Sequence, residues 1–330
     1  MTEEQIILRS DQKALLEASI LRNEEGKPCR CDPITCSSKP LAKDAKTVVI
    51  VGGAYSSIKT AEALVGNGLR INIVQANSFV ERQVAACFFL ANPDCHKQAL
   101  FALESEWLPD VSYIVGEVIS LDEQRVTLRG GATVDFDACV LAVGWTCSLI
   151  KPRLGISRAS REAEVEEAGA AIRSAKSVVV VGAGPVGVEL AEQIRDVVLP
   201  ETRVTLLCRS GVLPNFNKKT QEQSKKCLKR ANIEILFDEI AGEIATSLSP
   251  GHYKLQSGAV IQADVLLPAF GTLQTSFLDP ELLDGKGQVI VNEWMQCPGH
   301  PKLFAVGCNN LNKFRSLEEN KSQAQTAATA

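Results

Sequence analysis

Aromatic residues make up only 5% of this sequence, and it holds three histidines in all. No apolar run approaches the ~20 residues that cross a bilayer, so no transmembrane segment is expected. Positive charge is not in excess either: 35 Lys and Arg against 39 Asp and Glu leave a net charge of −4. A nucleic-acid binder needs a basic surface for phosphates, and that class is excluded. The chain opens Met1-Thr2-Glu3-Glu4, with no basic stretch followed by an apolar one, so no secretory signal is expected. The early acids argue against a mitochondrial transit peptide and Thr2 excludes N-myristoylation, which leaves a cytoplasmic address as the default.

Paired CxxC motifs are also missing, although the chain has eleven cysteines. A long chain without a secretory signal is a poor setting for a disulfide framework. Cys29, Cys31 and Cys36 cluster in a Pro-containing segment, but three thiols with no nearby histidine make a poor zinc set, and no metal site is expected. Others sit in apolar runs such as Ala138-Cys139-Val140-Leu141 and read as core. What remains is an ordinary α/β composition, 45% hydrophobic and 22% charged, over 330 residues. That length suggests about two domains.

Residues 1–45 are mixed in pattern and read as an arm and linker. At Thr47 the character changes. Val48-Val49-Ile50-Val51 is a uniformly apolar, β-branched run, the mark of a buried parallel strand. A glycine turn, a helix from about Ser57 to Asn67 and the strand Ile71-Asn72-Ile73-Val74 complete a βαβ unit. The same order returns about 130 residues later, at Ser177-Val178-Val179-Val180-Val181, then a glycine loop, a helix to about Val197 and the strand Val204–Leu207. Hairpin-like segments follow each unit, Val118–Leu128 and Tyr253–Ile261. Each is closed by an apolar strand ending in glycine, at Gly144 and Gly271.

A Rossmann loop needs one glycine for the tight turn, one to bring bare backbone to the pyrophosphate, and one to let helix and strand pack closely. The helix N-terminus then offers unpaired N–H groups to the anion. Gly182, Gly184 and Gly187 stand in GxGxxG register between a strand and a helix, with Pro185 and Glu189 in the first turns. At the end of the next strand, roughly 20 residues on, a carboxylate would pair with the adenosine ribose. Here Arg209 stands instead, either to meet a 2′-phosphate or as a solvated surface residue. The first loop reads Gly52-Gly53-Ala54-Tyr55-Ser56-Ser57, so Ala54 and Ser57 take the second and third glycine positions. Its ribose position is Gln75, which bonds without charge assistance. This loop is either a relic of the fold or a degraded site that still binds.

The chain resembles the FAD/NAD(P)H two-dinucleotide oxidoreductase family, and within it the apoptosis-inducing-factor-like, ferroptosis-suppressor quinone oxidoreductase branch. The resemblance runs from about residue 46 to the end. It rests on Val49–Gly53, Gln83–Ala86, Val115–Val118, Val140–Gly144, Val181–Leu190, and the late segment Val291–Trp294 with Gly299–Gly307. It implies an α/β fold of two Rossmann-like domains with the NAD(P) domain inserted in the FAD domain. The expected division is an FAD-type domain over 46–150 and 263–330 and an NAD(P)-type domain over 151–262.

Four departures from the family pattern accompany it. The late family motif ends Gly-Asp, the Asp holding the flavin's ribityl chain, whereas here Gly307 is followed by Cys308. The apolar-Thr-Gly motif reads Ala269-Phe270-Gly271. The lysine that begins the following helix in this branch would be Lys321, and the branch's C-terminal domain is expected to be missing. The redox CxxxxC pair is absent, which excludes thiol–disulfide chemistry. The reading is therefore an FAD-dependent NAD(P)H oxidoreductase passing hydride to flavin and on to an unknown acceptor, a quinone being one candidate. The cofactors carry such chemistry, so no catalytic protein residue is expected, and His96, His252 and His300 are assigned none. The alternative is a flavin-free pseudoenzyme that keeps the fold, with or without NAD(P)H binding, and serves as a scaffold or complex subunit for a protein partner.

Overall fold

The computed structural model describes residues 42, 44–82, 85–102, 111–310 and 317–330. The thiols Cys29, Cys31 and Cys36, and Gln83 and Val84, lie outside the described residues.

Along the chain, β1 (Thr47–Val51), α1 (Tyr55–Leu64) and β2 (Arg70–Gln75) form the first βαβ unit. Next, β3 (Phe79–Glu81) and β4 (Leu100–Ala102) pair across an excursion that contains α2 (Ala86–Ala91). After β5 (Val111–Val115), an antiparallel meander of β6 (Val118–Leu121), β7 (Arg125–Leu128) and β8 (Thr133–Asp135) leads to β9 (Ala138–Leu141). The second unit follows: α3 (Arg158–Ser174), β10 (Ser177–Val181), α4 (Pro185–Val197), β11 (Arg203–Cys208), α5 (Lys218–Arg230) and β12 (Ile233–Phe237). A hairpin of β13 (Gly251–Lys254) and β14 (Val260–Ala263) precedes β15 (Val265–Pro268). The chain returns through β16 (Leu303–Ala305) to α6 (Leu317–Thr329).

The strands form two parallel sheets, ordered β16-β9-β1-β2-β5 and β12-β11-β10-β15. Both central strands are β-branched and buried on both faces, as parallel strands covered by helices must be: Val49, Ile50, Val178 and Val180 are all 0% exposed. The first sheet takes strands from both ends of the described chain and the second lies wholly between them, so one Rossmann-like domain is inserted in the other. The sequence reading returned the chain to the first domain at 263. In the structure β15 still pairs with β10, Val178 opposite Val265 through Val181 opposite Pro268, so the return crossing comes after Pro268. The apolar run 265–268 has the same length and composition in either sheet, and only pairing decides its place.

The domains share a core. Ala86, Cys87 and Leu90 of α2 are buried among Val165, Ile172, Leu190 and Ile194 of α3 and α4. Beside them a buried ion pair crosses the interface. Arg161 of α3 donates to both carboxylate oxygens of Glu81 at 2.7 and 2.8 Å, with both side chains 1% exposed. Burial works to raise the Glu81 carboxyl, but the Arg161 hydrogen bonds, with help from His96, outweigh it and hold the pKa below its ordinary value. His96, which the sequence places in a loop, is buried with Nε2 3.6 Å from Glu81.

Removing one partner leaves the other charge dry and unpaired. Glu81→Gln or Arg161→Met is therefore expected to cost roughly 3–5 kcal/mol of stability, while the double change Glu81→Leu/Arg161→Met should cost much less than the two singles together. Urea unfolding of the three variants checks this, and near-zero single effects would refute it.

Candidate functional site

In doubly wound sheets ligands bind outside the carboxyl ends of the strands, and the candidate residues gather there. The second loop follows β10. Gly182 takes φ +103° and its N–H donates to the Leu207 carbonyl at 2.8 Å. Gly184 caps α4 in extended backbone, and nothing lies within 4 Å of the place a side chain would start. Gly187 has no such room, because a β-carbon there would run into the Gly182 carbonyl. The three glycine roles are all present. Pro185 opens α4, whose first turn holds no acid and no side-chain cap, so its N–H groups face outward unpaired. Lost solvation, then the Glu192 charge, raise the Glu189 carboxyl pKa, although the residue as a whole is open to solvent. Arg209 follows β11 at the ligand edge, its side chain 79% exposed and 3.8 Å from the Glu239 carboxylate.

The first loop keeps the backbone of a dinucleotide loop and changes its side chains. Gly52 takes φ +115°, donates to the Val74 carbonyl at 2.8 Å, and would strike the Ala142 carbonyl if it bore a β-carbon. Ala54 caps α1 without a side-chain hydrogen bond, and the first turn holds no acid. Ser57 is fully buried with an unpartnered hydroxyl, which costs about 1–3 kcal/mol at the helix–strand contact. Gln75 does not present its donor to a ribose. Its Nε2 donates to the carbonyls of Asn77 at 2.6 Å and Phe79 at 3.1 Å, and its carboxamide covers Gly53.

The ends of β9 and β16 make a corner beside this loop. Gly144 (φ +67°) and Gly307 (φ +85°) turn the chain away there. Gly307 abuts Ser56 in the first turn of α1, and its N–H donates to Gln323 Oε1 at 2.8 Å, tying α6 to the corner. Cys308 is half-buried, and Asn309 is fully buried with Nδ2 donating to the Leu141 carbonyl at 3.1 Å and Oδ1 unpartnered. Lys321, the fifth described residue of α6, is exposed; Asn320, Gln323 and Ala324 face inward, so Gln323 and not Lys321 reaches the corner.

A residue that sequence reasoning passed over stands here. Lys151 Nζ lies 4.4 Å from the Trp145 ring centroid and 3.9 Å from the β-carbon position of Gly144. Burial brings its pKa down to about 8, against the opposing effect of nearby Cys308 and Cys147. Among the described residues no carboxylate lies within 4.0 Å of it. The only sequence signal was a lysine seven residues after a strand-ending glycine. At Gly271 a β-carbon would overlap the Thr146 carbonyl where the two interdomain connections cross. Phe270, 46% exposed, lies against Gly182, so Phe270 and Trp145 line the stretch between the two loops.

Residues 46–329 match the family model "Pyridine nucleotide-disulphide oxidoreductase", and the chain belongs to that family. Apoptosis-inducing factor homolog B of Dictyostelium discoideum is 24% identical over 321 residues, covering 88% of this chain and 81% of that protein. Ferroptosis suppressor protein 1 of Xenopus tropicalis is 26% identical over 310 residues, covering 88% and 82%. The fold is similar to sulfide:quinone oxidoreductase of Aquifex aeolicus, with TM-score 0.67, 17% identity and coverage of 86% and 76%. It is similar also to the NADH-bound water-forming NADH oxidase of Lactobacillus brevis, with TM-score 0.68, 16% identity and coverage of 86% and 69%. Family and fold indicate FAD and NAD(P)H. The residues present fit the phosphates of both: two glycine loops, two uncapped helix N-termini, and the Lys151 ammonium, with no ion-pair partner among the described residues, close to Gly144. They fit the hydroxyl groups of the flavin nucleotide less well, since Gln75 is turned inward and Cys308 carries no carboxylate.

Two outcomes follow from this geometry. Gly187→Ala should unfold or grossly destabilise the second domain, whereas Gly184→Ala should fold normally and weaken nicotinamide nucleotide binding by about tenfold; circular dichroism and calorimetry separate them. For Lys151, the folded pKa of about 8 lies below the ordinary 10.5. The folded state thus releases this proton first, so the charge penalty is present below pH 8 and relieved as pH rises to 10.5. Wild-type stability should climb relative to Lys151→Met across that window in urea titrations.

Proposed function

We propose that this chain is an NAD(P)H oxidoreductase that passes hydride from the nicotinamide to a weakly held flavin and electrons onward to an acceptor, a quinone being the leading class. The observation that carries this reading is the second loop. Gly182, Gly184 and Gly187 each meet the separate requirement of a pyrophosphate turn, and the space before Gly184 is open. The first site keeps its frame in Gly52, Gly144 and Gly307. Bound flavin would supply the hydride-accepting ring. The protein's part is to seat and orient two nucleotides, which needs no protein acid, base or nucleophile. Phe270 and Trp145 cover the ground between the loops with apolar surface. Arg209, at the ligand edge with no acid in its place, favours NADPH over NADH.

A second reading, a flavin-free NAD(P)H-binding scaffold, draws support from the Gln75 carboxamide lying over Gly53. Purified protein is expected to show substoichiometric flavin absorbance, and a full complement surviving gel filtration would contradict the weakened site. Cys308→Asp with Ala54→Gly should tighten FAD by about tenfold, because one charge-assisted hydrogen bond is worth roughly 1.5–3 kcal/mol. A normally folded double variant that takes up no more flavin would favour the scaffold. Arg209→Glu should lower the NADPH/NADH affinity ratio by about tenfold in calorimetry. An unchanged ratio would reduce Arg209 to a rim partner of Glu239.

A further inference from the structure

We infer that Lys151 is an anion anchor of the first dinucleotide site, receiving phosphate oxygens of its nucleotide. The inference rests on the proposed function for the location of that site and goes beyond it in naming the residue and the part of the ligand it takes.

Three features meet at this corner. Lys151 places an ammonium there: its Nζ sits over the Trp145 ring at 4.4 Å and is held close to Gly144 and Cys308. It has no hydrogen-bond or ion-pair partner among the described residues, so the face turned away from the ring is available to a ligand. The corner is continuous with the glycine loop, because Gly307 abuts Ser56 in the first turn of α1. That first turn has neither a side-chain cap nor an acid, so its N–H groups and the positive end of the helix are open to an anion. Lastly, Cys308 is the residue following Gly307, and among the described residues no carboxylate pairs with the lysine.

A structural role alone, the alkyl chain packing on Trp145, requires apolar contact and no charge. A lysine placed for that purpose would extend its head to water. Here the residue is half-buried and its head is turned onto the Trp145 ring, 4.4 Å from the centroid, where burial lowers its pKa. A ligand phosphate would supply the missing counter-charge. An ammonium serves as a compact point charge for phosphate, without the fork that reads a planar carboxylate.

The test maps acylation of Lys151 by an N-hydroxysuccinimide ester at pH 8, read by mass spectrometry of peptides, with FAD, inorganic pyrophosphate or riboflavin as protectant. FAD and pyrophosphate should each slow labelling by about tenfold, and riboflavin, which lacks phosphate, should not. Protection by riboflavin equal to that by FAD would overturn the assignment, and so would the absence of any protection. Protection by pyrophosphate but not FAD would uphold the anion anchor while refuting the flavin reading on which it was built. In parallel, Lys151→Met should lose about tenfold in FAD affinity with riboflavin affinity unchanged, and Lys151→Arg should retain most of it. Lys151→Met removes a desolvated charge and should be no less stable than wild type at pH 7. A variant that folds and binds FAD as wild type does would leave Lys151 a packing residue.

Discussion

Two strands of irregular backbone join the domains, and they cross with almost no space between them. Trp145 bridges Leu273 in antiparallel fashion, the Thr146 N–H donates to the Thr272 carbonyl at 2.7 Å, and Gly271 passes so close to the Thr146 carbonyl that no side chain fits. This crossing sets where each sheet presents its carboxyl edge. Trp145 is the first residue after Gly144 of one domain, and Phe270 the first after Ala269 of the other, so the crossing brings both rings between the two glycine loops. The buried Glu81–Arg161 pair is a second tie between the domains. Its energetic weight comes from what breaking it would strand, since a buried pair adds little over an apolar one of equal volume. Together the two contacts fix the separation across which a nicotinamide and a flavin would have to meet.

Much of this was legible in the sequence because parallel strands and glycine turns are local in their causes. A β-branched run followed by glycine reads as strand and turn whatever surrounds it. Val48–Val51 and Ser177–Val181 are found as such, with the GxGxxG register intact in space. The hairpins around Gly130-Gly131 and Gly258 were readable for the same reason. The domain boundary near 262 was not. Val265–Pro268 satisfies either sheet, and only its pairing with β10 decides.

The site was less legible because its chemistry depends on direction. Gln75 stands at the ribose position by spacing, yet its side chain turns back to the carbonyls of Asn77 and Phe79. Lys321 could be placed on the last helix from sequence, but the face it occupies follows from which neighbours pack inward, and those are Asn320, Gln323 and Ala324. Lys151 looks like any lysine ending a loop. It is drawn inward because Leu149 adopts φ +60°, which non-glycine residues rarely do, and because Ile150 and Cys147 are buried on either side of the turn. Nor could any pattern pair Glu81 with Arg161, 80 residues apart.

The departures at the first site share one chemical character. Gln75 and Cys308 each stand where the family pattern puts a carboxylate that would accept hydrogen bonds from hydroxyls. What is kept are groups that bind anions: the Gly52 turn, the uncapped α1 N-terminus, and the Lys151 ammonium in the anchoring role proposed for it. Cys308 in place of the family's acid removes one negative charge from the corner that holds the Lys151 ammonium. At an effective dielectric of about 20, a full charge 4 Å away is worth about 4 kcal/mol, so a phosphate on that ammonium outweighs any single hydroxyl contact. A nucleotide seated on such a floor would be gripped by its phosphates and left loose at its sugar. The weak flavin retention proposed above would then follow from which end of the ligand is held, and the fold need not have closed the pocket to produce it.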